Sequence, residues 1–464
     1  MPGPPNPAGA SGHYGGSAVK KSVLLAAVGC LVASSALAQP ATLDQVLREL
    51  QALSQRVGRL EQDNASLKAE NEELKAKNDR MEATTEYLRD NASATRKTLA
   101  EDAPRIAEAD RVARAAEWAS RLSWKADLRY RHENVDPEEA VTDQDRQRIR
   151  ARFGLTAKIN DTVSTTLQLA TNGGNNDPRS TNQTLGEGMT RKGVAIDLAY
   201  VEWKPVKGLT LLAGKMPQPW QKVPSLLWDG DITPEGLAVK YVRGPFFANA
   251  FGHYLSERST ASDATLIGGQ VGAAFNIGSA KLTGAVGYYD VGSVQGKITT
   301  AGTGCTANPA FFGGPQGNTT VLVGTCATLA NDFNLLEGLL QADFTIGSRP
   351  LVLFGQYLEN REAPTLDTFW AGGFTFGRAS APKSWEFGYL YQSVEKDSQF
   401  GQFADSDFGG GVTDTEGSVL RIGFAPARNW LLNGTYFMND RFVDAPGAIE
   451  REYDRYQIDL NYRF

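Results

Sequence analysis

Apolar and polar residues alternate without a break over the last ten positions, Arg455 to Phe464. Tyr456, Ile458, Leu460, Tyr462 and Phe464 share one face. Arg455, Gln457, Asp459, Asn461 and Arg463 share the other. Successive side chains of a strand point to opposite sides, so this strand separates two solvents. Lipid on one side and water on the other satisfies both faces, which is the pattern of a transmembrane β-barrel. The same alternation recurs upstream in about sixteen segments, at 123–133, 147–160, 162–172, 194–206, 208–216, 235–243, 246–257, 265–278, 280–293, 333–347, 349–361, 367–379, 383–396, 415–426, 428–442 and 451–464. Short connections, such as Asn160-Asp161 and Gly278-Ser279, alternate with long ones at 173–193, 216–234, 294–332 and 397–414. Barrels of the outer membrane have short periplasmic turns and longer outer loops, and an even count returns the carboxyl end to the entry side. The expected fold is therefore an all-β antiparallel transmembrane barrel over 123–464. A soluble β-sandwich explains some rows, but its open edges would need protection.

A different period governs residues 43–88. Leu43, Val46, Leu50, Leu53, Val57, Leu60, Asn64, Leu67, Asn71, Leu74, Asn78, Met81, Thr85 and Leu88 alternate three- and four-residue steps. That heptad predicts a left-handed coiled coil. Arg56 would face Glu61 of a neighbour, Asp63 Lys68, Glu70 Lys75, and Lys77 Glu82, pairings that arise only between parallel helices in register. A single solvated amphipathic helix is the plainer alternative. The Asn residues at a positions fix register without settling dimer against trimer; a trimer is expected. A second helix over about 105–122, started by Pro104, bridges to the first strand. Residues 39–122 are read as a periplasmic coiled coil and linker helix, with cell-wall contact through the coil as one role.

Composition adds constraints. No apolar run reaches the length of a spanning helix, a test that barrels escape. Glycine (48), Tyr (15), Phe (21) and Trp (8) suit strands and interfacial girdles. The net charge of −6 comes with no basic patch for nucleic acid. Lys20 and Lys21, the apolar stretch Val23–Ala33 and Ala36-Leu37-Ala38 form a secretory signal ending at residue 38. The Pro/Gly-rich residues 1–18 do not fit such a signal, so Val19 is a candidate true start. A lipoprotein signal around Cys30 is the competing reading. Cleavage leaves Cys305 and Cys326 flanking a Gly/Asn/Thr-rich segment, which in an exported chain suggests a loop disulfide; two free thiols are the alternative.

Strand two carries Arg146, Arg148, Arg150 and Arg152 at every second position. An Arg facing lipid near the midplane costs about 2–4 kcal/mol, so this ladder belongs in the lumen. Lys125, Arg129 and Arg131 on strand one, beside Asp127, and Arg455 and Arg463 on the last strand extend it into one positive wall. The connection 216–234 holds Trp220, Trp228, Leu226 and Leu227, odd for an exposed loop, and suggests a segment folded inward.

The terminal Phe464 resembles that of bacterial outer-membrane porins. Ser180 through Leu185 to Tyr200, Lys215-Met216, and Trp228-Asp229 with Pro234-Glu235-Gly236-Leu237 resemble the putative porin family of Gram-negative bacteria over about residues 124–464. The resemblance implies a barrel with a general porin role and no defined substrate. General porins narrow the pore with an inward third loop whose acids face a basic wall. By that resemblance Asp229, Asp231 and Glu235 would oppose Arg148, Arg150 and Arg152. A surface loop with solvated acids stays open as the other reading.

An enzyme is not expected. Of the mature chain's two histidines, His132 and His253, neither lies in a serine motif, and no metal-ligand spacing appears. No cofactor is implied. The expected function is passive diffusion of small hydrophilic solutes or ions across the outer membrane. Its partners would be outer-membrane lipid and further copies of the chain. A structural tether anchored through the coil, and an outer-membrane hydrolase, are the alternatives.

Overall fold

The structure is a computed structural model that describes residues 43–172, 177–259, 262–444, 447 and 449–464. The expected leader lies outside these residues. One helix, α1 (Leu43–Ser120), precedes sixteen long strands: β1 (Leu122–Pro137), β2 (Gln144–Lys158), β3 (Val163–Asn172), β4 (Gly193–Trp203), β5 (Leu209–Lys215), β6 (Glu235–Arg243), β7 (Phe246–Ser256), β8 (Ala264–Ile277), β9 (Ala280–Gly292), β10 (Phe333–Ile346), β11 (Arg349–Asn360), β12 (Thr368–Gly377), β13 (Ser384–Val394), β14 (Thr415–Ala425), β15 (Trp430–Arg441) and β16 (Arg451–Arg463). Each pairs antiparallel with its chain neighbours, and β1 also pairs with β16, so the sheet closes into a ring. The eight connections at the end away from both chain ends are termed L1 to L8 in order. Among them L3 is 216–234, L5 is 293–332 and L7 is 395–414. Two-residue turns at the opposite end use glycines in the left-handed region, Gly278 (φ 61°) and Gly347 (φ 62°). A hairpin turn of this kind needs positive φ, which glycine adopts without steric cost.

The alternation expected from sequence holds around the ring. Leu128 and Tyr130 on β1, Val286 and Tyr288 on β9, Leu340 on β10 and Ile458 on β16 lie on the outer face and are exposed. Residues of opposite parity, such as Arg131 and Glu133 on β1, Gln270 on β8, Glu337 on β10, Gln356 on β11 and Gln457 on β16, are buried inside. Closure leaves no open edge, and in hydrocarbon every unpaired backbone group would cost several kcal/mol.

The helix differs from the sequence reading. No break occurs at Pro104; α1 runs unbroken for 78 residues with that proline inside it. Proline removes one backbone bond to the carbonyl four residues earlier. The helix around it is solvent-exposed, so water can satisfy the freed carbonyl of Ala100. Contacts divide the chain after Ala109. Among the described residues no helix is long and apolar enough to cross a membrane.

Outward Leu340, 60% exposed, supplies a direct check on which face meets lipid. Leu340→Arg should lower folding free energy in lipid vesicles by about 2–4 kcal/mol. An unchanged unfolding midpoint in denaturant would remove this row from the hydrocarbon.

Candidate pore constriction

Register creates the electrostatic problem that the lumen must solve. On neighbouring strands Arg131 stands opposite Arg148, and Arg129 opposite Arg150. Like charges directly across a ladder destabilise it. Carboxylates on the same and adjoining strands answer them. Asp459, opposite Arg131 on β16, accepts two bonds from that guanidinium, at 2.6 Å from Nε and 2.9 Å from Nη2. A bidentate pair of this kind is among the stronger ionic contacts. Asp127 binds both Arg150 (3.1 Å) and Arg152 (2.8 Å). Glu133, fully buried, binds Arg146 (2.8 Å) and Arg148 (3.2 Å). The result is a charge lattice on the inner face of β1, β2 and β16.

Two loops fold inward onto this frame. L3 buries Met216, Trp220, Leu227 and Trp228. Trp220 packs on Phe251 with ring centroids 5.0 Å apart and on Trp228 at 5.2 Å. Wall glutamines grip its backbone. Gln270 accepts from the Gln221 amide (2.9 Å) and donates to the Gln221 carbonyl (3.2 Å), while Gln392 accepts from the Leu226 amide (3.1 Å). Glu337 is the hub beneath, accepting bonds from Tyr289, Gln270 and Gln356. A buried carboxylate with three donors keeps its lone pairs satisfied without a cation.

L7 is the second inward loop. Phe400, Phe403 and Phe408 are buried; Phe403 ends the short 3-10 turn Gly401–Phe403 and Phe408 begins the turn Phe408–Gly410. L3 and L7 interlock: the Asp229 amide donates to the Phe403 carbonyl (2.9 Å), the Ser406 amide donates to Asp229 Oδ2 (2.8 Å), and Trp228 packs on Phe403. From this junction Asp407 reaches the wall, 3.0 Å from Arg131 and 2.6 Å from Arg455. Burial alone would raise its pKa, but Arg131 and then Arg455 hold the Asp407 carboxyl well below the usual carboxylate range. Burial, then the charge of Asp407, pushes Asp405 up to about 6. Burial, then Asp405 and Asp231, pushes Asp229 well above the ordinary value.

The residues expected from sequence separate into groups. Arg129, Arg131, Arg148, Arg150, Arg152 and Arg455 converge on the lattice. Lys125 and Arg463 are exposed near the opposite end of the wall. Of the three acids, Asp231 stands 3.9 Å from Arg150 and 3.6 Å from Arg152. Asp229 does not oppose the arginines; its carboxylate caps the L7 backbone, because L7 occupies the space between. Glu235 does not oppose them either. It begins β6, is exposed and pairs with Lys215 at 2.8 Å. Asp407, Asp459 and Glu133 were not singled out, although Asp459 and Glu133 sit on the polar faces already read. Phe400, Phe403 and Phe408 gave L7 the same apolar signal that the tryptophans gave L3. Cys305 and Cys326 are joined by a disulfide within L5, with Cα atoms 5.6 Å apart. No cluster of three or more His, Cys, Asp or Glu among the described residues suits a metal.

A family model described as "Putative porin" matches residues 134–323 and 352–464, well over half of the chain. The chain belongs to this porin family. No curated protein matches it. Among solved structures the porin is similar to the high-pH structure of Pseudomonas putida OprB, with 13% identity and a TM-score of 0.51, covering 75% of this chain and 96% of that one. It is also similar to the trimer form of in-vitro folded OmpT, an outer membrane protein of Vibrio cholerae (12% identity, TM-score 0.43, 74% and 99% covered). A third likeness is to Salmonella typhi OmpF in complex with daunomycin (9% identity, TM-score 0.45, 74% and 97% covered). At these identities the likeness concerns the fold. Family and closed barrel together make this an outer-membrane porin.

The raised Asp405 carboxyl gives the porin a pH signature. Asp405 holds its proton more tightly folded than unfolded, so as pH falls from 7 through about 6 the junction loses a negative charge and gains stability. Asp407, held low, stays ionised over that window. Anion preference should therefore rise between pH 7 and 5, and Asp405→Asn should flatten the profile. Reversal potentials across that range measure both; a wild-type profile that is already flat would remove Asp405 from the conduction path.

Proposed function

We propose that the barrel carries small hydrophilic solutes by passive diffusion and favours anions. The supporting observation is the charge balance of the lattice. Seven guanidiniums (Arg129, Arg131, Arg146, Arg148, Arg150, Arg152 and Arg455) meet five carboxylates (Asp127, Glu133, Asp231, Asp407 and Asp459). Two positive charges are left over in a confined aqueous space with a low-dielectric wall, where field lines concentrate. A ring or wall of basic side chains is how pores select anions. The acids that L3 and L7 contribute, Asp231 and Asp407, pair directly with this wall, so the loops trim its positive charge without cancelling it.

Catalysis finds little support in the same residues. His132 lies on the outer face beside Gln147 and Tyr456, and His253 stacks on Phe251 with its centroid 5.0 Å away. Neither stands beside a serine or cysteine nucleophile as a general base must. The sixteen strands return the carboxyl end to the side where α1 enters. With long loops read as outward, we take α1 to be periplasmic and the assembly to be a trimer.

Replacing Arg148, Arg150 and Arg152 together by Gln removes three charges and leaves the excess negative. The reversal potential in a salt gradient should move towards cations. An unchanged potential would take the β2 ladder out of the path of ions.

A further inference from the structure

We infer that α1 is the docking surface for further copies of this chain, zipped in parallel and in register along nearly the whole helix. It deepens the trimeric reading above and relies on it for copy number alone. The helix carries a mostly apolar a/d row, interrupted by Asn64, Asn71, Asn78, Thr85, Thr95 and Asp102, and its large apolar residues are exposed. Leu50, Leu53, Leu60, Leu67 and Leu74 are each 58–63% exposed. A soluble monomer rarely presents so long an apolar surface, and at 1.5 Å per residue this row spans most of about 117 Å.

The unbroken helix extends the seam beyond the heptads read at 43–88. In the same frame, with Asn64, Asn71 and Asn78 at a positions, Leu99 and Ile106 fall at a, and Ala109 and Ala116 at d. Both large residues are exposed, at 60% and 59%. No residue is inserted or lost over the whole run, so a single supercoil accommodates it. Pro104 falls at an f position, on the back of the helix away from the seam. A partner along the seam therefore never meets the proline ring. Asp102 at d is the one charge in the row, and it marks where the tight Leu-rich part passes into a softer Ala-rich part.

Charge selects the occupant. The flanking pairs Arg56–Glu61, Asp63–Lys68, Glu70–Lys75 and Lys77–Glu82 are each opposite in sign between a g position and the next e position of a neighbour. The extended frame adds Arg105–Asp110. An antiparallel partner would bring different positions together, and an unrelated helix would match this order only by coincidence. The surface is complementary to itself in parallel register, which is the property of a coiled coil formed by like chains. Three successive Asn residues at a positions favour the register in which each meets its own copy, since a slip of one heptad sets one Asn against Val57 and another against Thr85.

Cysteine crosslinking of the full-length protein in outer-membrane vesicles tests this. Val57→Cys, at a seam position, should form a same-site disulfide on mild oxidation about tenfold faster than Gln62→Cys, at an f position on the back. Adding Lys68→Glu and Lys75→Glu to Val57→Cys sets acid against acid and should slow that crosslink by about tenfold; further adding Asp63→Lys and Glu70→Lys should restore it. Equal rates at positions 57 and 62, or a crosslink indifferent to the charge exchange, would overturn self-pairing. Conductance of the same variants reads the barrel separately, so a failed stalk and a failed pore give different results.

Discussion

The bond ladder between β16 and β1 decides everything else in the barrel. With it, sixteen strands form a ring without an open edge. Without it, two edges would face hydrocarbon, at several kcal/mol for each unpaired group. Closure also fixes register. Side chains alternate with period two, so a slip of one residue would carry the arginines of β2 to the lipid side and Phe153 to the lumen. One alternation thus places oil-facing Leu128, Tyr130 and Ile458 and water-facing Arg131, Arg150 and Asp459 in the same act.

Register alone would leave Arg131 against Arg148 and Arg129 against Arg150. The acids make that arrangement tolerable, and they come from different parts of the chain: Asp127 and Glu133 from β1, Asp459 from β16, Asp231 from L3 and Asp407 from L7. Three are built into the wall and two are delivered by inward loops. The loops are held by chemistry unlike that of the wall, with aromatic rings and glutamines on L3 and buried phenylalanines on L7. The charge of this wall therefore has a permanent part, set by the strands, and a part that depends on loop position. Titration acts on the loop-dependent part, since Asp405 and Asp229 sit where L3 meets L7.

Much of this was legible in the sequence, and the limits have physical causes. Each strand was visible because a membrane wall demands strict alternation, and the observed ends lie within four residues of those expected. The arginine ladder was placed inside because lipid rejects it. Asp459 as the partner of Arg131 was not visible, because pairing across β1 and β16 joins residues 328 positions apart. By analogy with one inward loop, Asp229, Asp231 and Glu235 were all expected to oppose the arginines; Asp231 does, whereas Asp229 turns to the backbone of the second loop, L7, and Glu235 pairs with Lys215. Pro104 read as a helix start because local propensity argues for it, while an exposed helix tolerates one missing bond. The seam of α1 was visible from its heptads over 43–88, and its continuation became apparent only once the helix proved continuous.

The most direct test is the solvent that each face of β2 meets. Single cysteines placed in turn at positions 148 to 153, in protein reconstituted into vesicles, are exposed to a charged, membrane-impermeant thiol reagent. The account predicts labelling at 148, 150 and 152 and none at 149, 151 and 153. Uniform labelling, or protection of the even positions, would contradict a barrel with water inside and lipid outside.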